Sequence, residues 1–210
     1  MADESSTEYV RTRRQLRGVA ESLIAGPQYR GAGTIKLAVR ADGFVGVAMS
    51  LGVAGDQFVW GTGSAPLAGS VADLADAAGV EAGAPDGVYE ITDPLPADAV
   101  LDIHHGAADR LYRGLYAGGF ALVRALPGTH PVLWPEHFDV AVTVDEVNYG
   151  VSLGDNYLDE PYMYVGPFKP RTGAFWNAPF GAALPVRDLP GAALGRFFAH
   201  GRGLALGHAS

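Results

Sequence analysis

The sequence predicts an α+β fold with two antiparallel β modules, a long central helix and terminal helices. Two observations predict it: short alternating strands follow one another through tight turns, and the helical segments stand apart from them without a βαβ alternation. The 210 residues are 48% hydrophobic and 18% charged, which favours a folded core over disorder. We expect a single integrated domain over residues 1–210, within which residues 1–92 and 100–210 are potential subdomains.

The N-terminal segment predicts one helix over residues 7–24, where apolar side chains recur at helical spacing. Gly26-Pro27 is expected to end it. Four arginines lie within seven residues of this helix: Arg11, Arg13, Arg14 and Arg17. They form either a docking patch for an anion or a solvated helix face. We favour the solvated face, because most runs of charge are solvated.

The first β module is predicted over about residues 33–91. Alternation over residues 34–40 is typical of a half-buried strand, and Asp42-Gly43 reverses the chain into a second strand. Ser70 and Asp73 have the spacing of a capping box at the start of a short helix. The other predicted elements are the second strand at 44–49, short strands at 58–60 and 88–91, and the helix that runs from Ser70 to Ala78.

The long central helix is predicted over residues 107–126, after a proline-containing boundary at 93–99 that has no periodicity. Gly118-Gly119 in its middle costs about 1–2 kcal/mol relative to alanine, so we expect close packing against another element, or a kink. A last helix is predicted from about Pro190, with Asp188 as its cap. The apolar stripe of the central helix is predicted to contain Leu111, Leu115, Leu122 and Leu126, joined by Tyr112, Tyr116 and Phe120.

The second β module centres on a hairpin, with strands at 134–144 and 147–153 around Asp145-Glu146. A two-residue loop sets the register, which places Val144 opposite Val147 and gives one continuous apolar face. The other face is polar around the small pair Ala141 and Gly150. Its remaining predicted pairs are Thr143 with Asn148, Asp139 with Ser152, and His137 with Gly154; on the apolar face the outermost pair is Phe138 with Leu153.

A small floor ringed by polar side chains is typical of a ligand cradle, although the solvent face of a sheet has the same composition. Ten of the 21 aromatic residues lie between residues 134 and 180. Such rings either plug the end of a sheet or line a pocket. We predict a small-molecule ligand in an aromatic-rimmed cleft formed by residues 134–180. The candidate ligand-binding residues are Trp134, Asn148, Ser152, Asp155, Asn156, Tyr162, Tyr164, Trp176 and Asn177.

Two alternatives come from other functional classes. One is a hydrolase- or lyase-type enzyme that uses His137 and Asp139 for acid–base chemistry. A metal-assisted version would need a further ligand from Asp155, Asp159 or His130. The other is a structural or oligomer-forming protein whose exposed aromatic residues form an interface between copies. No zinc-protease, Walker or nucleophile-elbow motif is present, and no cofactor is indicated.

The amino-acid composition limits the kinds of partner that the protein is expected to bind. There is no cysteine, which excludes disulfides and thiolate chemistry and favours a cytoplasmic location. The net charge of −8 repels nucleic acid phosphates. No apolar run is long enough to cross a membrane, and no secretory signal is readable at the start. We therefore expect neither a nucleic acid nor a membrane partner.

Four strings in the C-terminal half are distinctive: WPEHFD, NYGVSLGD, YMYVGPF and FWNAPFGAALP. They resemble sequences from an uncharacterised protein family of GC-rich, actinobacterial-type bacteria. The resemblance covers about residues 131–186, with fainter similarity in GTIKL and FFAHGRGLAL. It implies one integrated bacterial protein, and it assigns no activity, cofactor or site residue to this chain.

Overall fold

The computed structural model describes residues 2–188 and 193–207, and these confirm the α+β fold with antiparallel strands. No helix in this part of the chain is long and apolar enough to cross a membrane. The predicted helix start at Pro190 lies outside the described residues. The helices are α1 (Ala2–Val19), a π-helical turn (Ala20–Ala25), α2 (Gly26–Ala32), α3 (Val71–Ala78), α4 (His105–Ala125), a short 3₁₀ turn (Val186–Asp188) and α5 (Ala193–Ala205).

The strands are short, and those that the structure describes pair in antiparallel fashion. They are β1 (Leu37–Arg40), β2 (Gly43–Gly46), β3 (Leu51–Ala54), β4 (Gln57–Trp60), β5 (Gly63–Pro66), β6 (Gly69–Ser70), β7 (Val100–Leu101), β8 (Val132–Trp134), β9 (Asp139–Val144), β10 (Val147–Ser152), β11 (Tyr162–Pro167) and β12 (Ala182–Pro185).

Two compact units divide the chain. The first unit comprises Met1–Arg113 with Leu133–Phe138, and the second comprises Gly114–Val132 with Asp139–Ser210. The boundary predicted at residues 93–99 therefore lies inside the first unit. That segment belongs to a stretch of irregular backbone over residues 80–99.

The first unit contains a meander in which β1 to β5 pair with their neighbours in chain order, and β8 pairs with β1 through Leu133 and Leu37. The sequence prediction missed β3 and β5, because their glycine and alanine content hides the alternation. The strand predicted at 88–91 is wrong. Val88 is 37% exposed, and the segment lies in irregular backbone that pairs with no described strand.

The predicted helix stop at Gly26-Pro27 is also wrong, because α2 continues to Ala32. Pro27 lies in the first turn of α2, where a missing N–H costs little. The preceding π-helical turn widens the backbone spacing just where a proline ring would otherwise clash with the turn before it. Gly33, with φ of 70°, ends the helix in the left-handed conformation.

The arginine cluster on α1 matches the favoured solvated face only in part, since Arg11 and Arg14 are exposed and the other two arginines are not. Arg13 is only 6% exposed. Arg17 donates hydrogen bonds to the backbone carbonyls of Thr92 and Asp93. Arg11 is the member that pairs at the surface, 3.0 Å from a carboxylate oxygen of Asp102. The cluster therefore fastens other segments to α1.

The second unit is built on the predicted hairpin, whose register is confirmed from Val144 opposite Val147 to Asp139 opposite Ser152. β11 and β12 extend it in the order β12-β11-β10-β9. Asp145 and Glu146 have φ of 53° and 60°, the conformation of a type I′ turn, which matches the twist of the two strands.

The predicted strand 134–144 is broken at its start. Residues 135–138 form a turn that is closed by the hydrogen bond from Phe138 N–H to the Trp134 carbonyl at 2.8 Å. Phe138 has φ of 51°, which no β-strand adopts. The expected pairs of Phe138 with Leu153 and of His137 with Gly154 are therefore wrong. Phe138 packs instead in the first unit, with its ring 5.4 Å from that of Phe44.

The central helix confirms the close packing predicted at its glycines. A Cβ on Gly118 would lie 2.9 Å from Val151 Cβ and 3.0 Å from Val140 Cγ1. The leucine stripe is buried as predicted, but Tyr116 and Phe120 are 53% and 61% exposed. At 3.6 residues per turn they lie about 140° and 180° around the helix from Leu111, so they face away from the stripe.

Candidate functional site

The small floor predicted at Ala141 and Gly150 is occupied by the protein itself. The ring of Tyr164 lies directly over Gly150, where even a Cβ would overlap it. The Tyr164 hydroxyl donates a hydrogen bond to Asp139, which is only 3% exposed. This polar face is therefore packed by an internal side chain at its centre.

Asp155 and Tyr162, two further predicted ligand residues, also bond to the fold. The Asp155 carboxylate accepts the backbone N–H groups of Tyr157 and Leu158 at 2.8 and 3.1 Å, and the Tyr162 hydroxyl at 2.6 Å. Burial, reinforced by the Asp155 carboxylate, raises the pKa of Tyr162. Ser152 is 2% exposed and accepts the N–H of Gly154 at 3.1 Å. The structure brings Asp139, Ser152, Asp155, Tyr162 and Tyr164 together as a bonded cluster.

The remaining predicted ligand residues of the second unit are dispersed. Asn148 accepts a hydrogen bond from Thr143 at 2.7 Å, beside the hairpin turn. Asn177 bonds through both side-chain atoms to the backbone of Ala183, at 2.9 and 3.0 Å, and so pairs its loop with β12. Trp176 is half-buried with its ring 5.0 Å from Phe175, and Asn156 is exposed.

The aromatic rings over β11 pack on one another. Tyr157, Tyr162, Tyr164 and Phe180 form a cluster with ring centroids 5.1–6.3 Å apart. Three of the five ring pairs are edge-to-face, a geometry that packed aromatic side chains prefer, and Tyr157 and Phe180 at the outside of the cluster are 46% and 37% exposed. The geometry therefore favours rings that fill the end of the sheet over rings that line a pocket. The sequence alone allowed both roles.

The predicted catalytic pair does not share a strand face. His137 is exposed in the turn at 135–138, and Asp139 is buried at the first residue of β9. Trp134 ends β8 half-buried, with Lys36 Nζ 5.9 Å from its ring centroid. Within residues 2–188 and 193–207, no group of three or more histidine, aspartate or glutamate side chains could hold a metal ion. The metal-assisted alternative therefore gains no support.

The first unit contains a cavity of about 520 Å³ that the sequence did not predict. Its wall comes from the β3–β4 turn at Gly55-Asp56, the end of β5, the segment after β7 and the first turns of α4. Leu67, Leu101 and Ala108 supply a buried apolar part. The side chains that supply polar groups to the lining are Asp56, Asp102, His105, Asp109 and Tyr112.

The hydrogen bond from Tyr112 fixes the back of this cavity. Tyr112 is 2% exposed, and its hydroxyl donates to the Gly55 carbonyl at 3.2 Å. Burial raises the pKa of Tyr112, and the charges that raise it further all belong to carboxylates, those of Asp109, Asp42 and Asp56. The charged groups that act on the phenol are therefore all negative.

The two histidines before α4 have separate roles. His104 Nδ1 accepts the backbone N–H of Ala107 at 3.2 Å and so acts as the helix cap. Its Nε2 lies 3.4 Å from the Glu8 carboxylate. The neutral tautomer with its hydrogen on Nε2 satisfies both contacts. His105, in contrast, lines the cavity and is exposed.

Sequence reasoning missed this cavity because its wall joins segments that are about 50 residues apart. Tyr112 lies on the predicted stripe of α4 and was therefore assigned to the core. Without the strand pairing, nothing placed the turn at Asp56 next to α4.

No family model matches the chain, and neither the curated proteins nor the solved structures contain a match. The resemblance to an actinobacterial-type family therefore stays a prediction.

Proposed function

We propose that this protein binds a small organic cation, an amine or guanidinium compound with an apolar body, in the first-unit cavity. The observation that carries the proposal is a partly apolar cavity of about 520 Å³ that is lined by three aspartates, Asp56, Asp102 and Asp109. This volume falls within the usual range of small-molecule sites, about 300–1,000 Å³. The function class is the one predicted from the sequence, at a different place in the fold.

Asp56 is the residue that selects a cation. Asp102 and Asp109 are each paired with an arginine, Arg11 at 3.0 Å and Arg113 at 3.4 Å. No described residue forms an ion pair with Asp56, whose Oδ1 accepts only the side-chain amide of Gln57 at 3.0 Å. A ligand ammonium group would supply the missing counter-charge, while Leu67 and Leu101 pack against the ligand's hydrocarbon part.

The test compares ligands that share a skeleton and differ in charge. We expect hexylamine and 2-phenylethylamine to raise the unfolding temperature at millimolar concentration, and hexanoate and phenylacetate to leave it unchanged. A ligand at 100 times its dissociation constant stabilises the folded state by about 2.7 kcal/mol. Titration calorimetry then measures the dissociation constant of the better amine.

Asp56→Asn tests the assigned site, because it removes the charge and keeps the shape. We expect amine affinity to fall about tenfold, which corresponds to about 1.4 kcal/mol. Asp86→Asn is the matched control, since Asp86 is an exposed aspartate of the same unit outside the cavity lining. Equal binding of amines and carboxylates, equal affinity of both variants, or no stabilisation by either amine would refute the proposal.

The cleft predicted at residues 134–180 remains a competing site with less support, since Tyr164 occupies its floor. The enzyme alternative would need an exposed turn residue, His137, to act together with Asp139, which is only 3% exposed. A Tyr164→Ala variant that gains affinity for an aromatic ligand would favour the cleft, because it removes the ring that covers Gly150.

A further inference from the structure

Glu21 is a buried carboxyl group in the π-helical turn. The residue is 2% exposed, within a run of apolar side chains. Its Oε1 accepts a hydrogen bond from the Tyr89 hydroxyl at 3.3 Å. Its Oε2 lies 3.6 Å from Arg17 Nε and has no hydrogen-bond partner among the described residues. A buried carboxylate oxygen in this state is costly unless the group is protonated.

A second carboxyl group faces the same region. Glu136, in the turn at 135–138, also has a buried Oε2 without a hydrogen-bond partner among the described residues. Burial raises the pKa of Glu136, while a backbone hydrogen bond and the nearby His137 oppose the shift. Two carboxyl groups that share one buried region cannot both ionise without a large penalty.

The charges around Glu21 come from three segments. Burial raises the pKa of Glu21 to about 7, and the charges of Glu136 and Asp93 add to the effect. Arg17, on the preceding helix, and the hydrogen bond from Tyr89 act in the opposite direction. The guanidinium of Arg17 is shared, because its Nη2 also donates to the carbonyls of Thr92 and Asp93. Burial therefore dominates.

Residues 80–99, which we call the strap, contain no helix or strand. Irregular segments longer than about 12–15 residues are uncommon in compact domains and are usually functional. Polar ties hold much of the strap on the N-terminal helices. Arg17 binds Thr92 and Asp93, Arg30 binds the carbonyls of Glu81 and Gly83, and Tyr89 binds Glu21.

We propose that Glu21, Tyr89 and Glu136 form a proton-binding site that clamps the strap, and that loss of the bound proton loosens it. When the proton leaves, a second negative charge must be hydrated beside Glu136. The segment that can admit water there is the strap, since the other side of Glu21 is the buried face of the helices. The proposal is independent of the cavity and of its ligand.

The sign of the effect follows from linkage. A carboxyl group whose pKa is raised in the closed state stabilises that state fully below its ordinary pKa of 4.5, and the stabilisation is lost as the pH rises to about 7. The equilibrium constant for strap opening should therefore rise up to about tenfold per pH unit between these values, and stay constant above about pH 7.

Hydrogen exchange of the Gly83 amide, which donates to the Ser22 carbonyl at 3.0 Å beside Glu21, measures strap opening at pH 5 to 8 once it is corrected for the intrinsic rate. We expect the rise in wild type and a flat profile in Glu21→Gln, which keeps the acceptor for Tyr89 and removes the charge. Glu136→Gln should shift the upper limit of the rise to lower pH. Glu90→Gln, at an exposed position of the strap, is the control and should keep the wild-type profile.

Infrared spectroscopy provides a second measurement if Glu21→Gln is unstable. A protonated carboxyl band should persist in the wild type at pH 6 and decrease in intensity by pH 8. Glu136→Gln should weaken this band at pH 6, because the remaining carboxyl group then ionises more easily. A strap-opening constant that does not change between pH 5 and 7, or a carboxyl band absent at pH 6, would overturn the proposal.

Discussion

Glu146 shows how a single residue can lower stability where the fold needs a left-handed backbone. It occupies the second position of the type I′ turn with φ of 60°, a conformation that costs an L-residue about 1–2 kcal/mol. Glycine adopts it freely, although glycine loses about 0.5–1 kcal/mol more on folding. Glu146→Gly should therefore be more stable than Glu146→Ala by about 0.5–1 kcal/mol, as measured by urea unfolding.

Glu146→Ala is the matched reference for this prediction because it also removes the exposed ion pair with Lys169 at 3.4 Å. The backbone bond from Phe168 N–H to the Glu146 carbonyl, at 2.9 Å, is available in both variants. If the alanine variant proves equal to or more stable than the glycine variant, the left-handed turn is not the conformation in solution.

Gly150 and Tyr164 form a second test at the scale of residues. Gly150→Ala would push the Tyr164 ring away and break its hydrogen bond to Asp139. We expect a loss of about 1–3 kcal/mol, the usual cost of overpacking, and about 1.5–3 kcal/mol for Tyr164→Phe, which removes a hydrogen bond to a charged group. Urea unfolding of the single and double variants measures the coupling between them.

The two losses should be less than additive, because each variant removes the same hydrogen bond. Strict additivity would mean that the ring stays in place when the methyl group is added.

At the scale of elements, α4 offers a matched pair of adjacent glycines. Gly118→Ala places a methyl group against Val151 and Val140 at 2.9 and 3.0 Å, so it should destabilise the protein by about 1–3 kcal/mol. Gly119→Ala meets its nearest neighbour at 3.7 Å, an ordinary contact, and should stabilise by up to about 1 kcal/mol through helix propensity. Thermal or urea unfolding measures both. Equal effects would mean that α4 does not pack on β9 and β10 through Gly118.

Elements were predictable where local chemistry decided them. The capping box of α3 is confirmed, with Ser70 and Asp73 bonded reciprocally, because it depends on residues three apart. The β9–β10 register is confirmed for a similar reason, since a two-residue loop fixes it. Elements that depend on distant partners were missed: β12 exists because it pairs with β11, and nothing in the sequence of Ala182–Pro185 requires that pairing.

At the scale of the whole molecule, the fold class was predictable from patterning, whereas the candidate site was not. A polar side chain on a strand has the same sequence signature whether it faces solvent, a ligand or another side chain. Asp139 and Tyr164 illustrate this, because their hydrogen bond joins β9 to β11 across 25 residues. Glu21 illustrates a different limit. Its position among apolar residues is visible in the sequence, but the burial that raises its pKa depends on the distant residues Tyr89 and Glu136.

Net charge is also a property of the whole molecule, and it predicts what the protein will not bind. The chain carries −8. In its basic cluster on α1, Arg13 is buried, Arg17 bonds to backbone carbonyls and Arg11 pairs with Asp102 at the surface, which leaves Arg14 exposed. Binding to nucleic acid requires arginine or lysine side chains that can displace counterions from phosphates. We therefore expect no anisotropy change with a labelled DNA duplex of about 20 base pairs, even at about 50 mM salt, where such contacts are strongest.

Asp102→Asn sharpens this prediction, because it removes the carboxylate that pairs with Arg11. One released arginine on a surface of net negative charge should still not bind the duplex, since non-specific binding needs several phosphate contacts. Salt-dependent binding by the wild type would show that the internal arginines are accessible. The same binding by Asp102→Asn alone would show that a single ion pair masks a basic surface on α1. The arginine cluster would then be a docking patch for an anion.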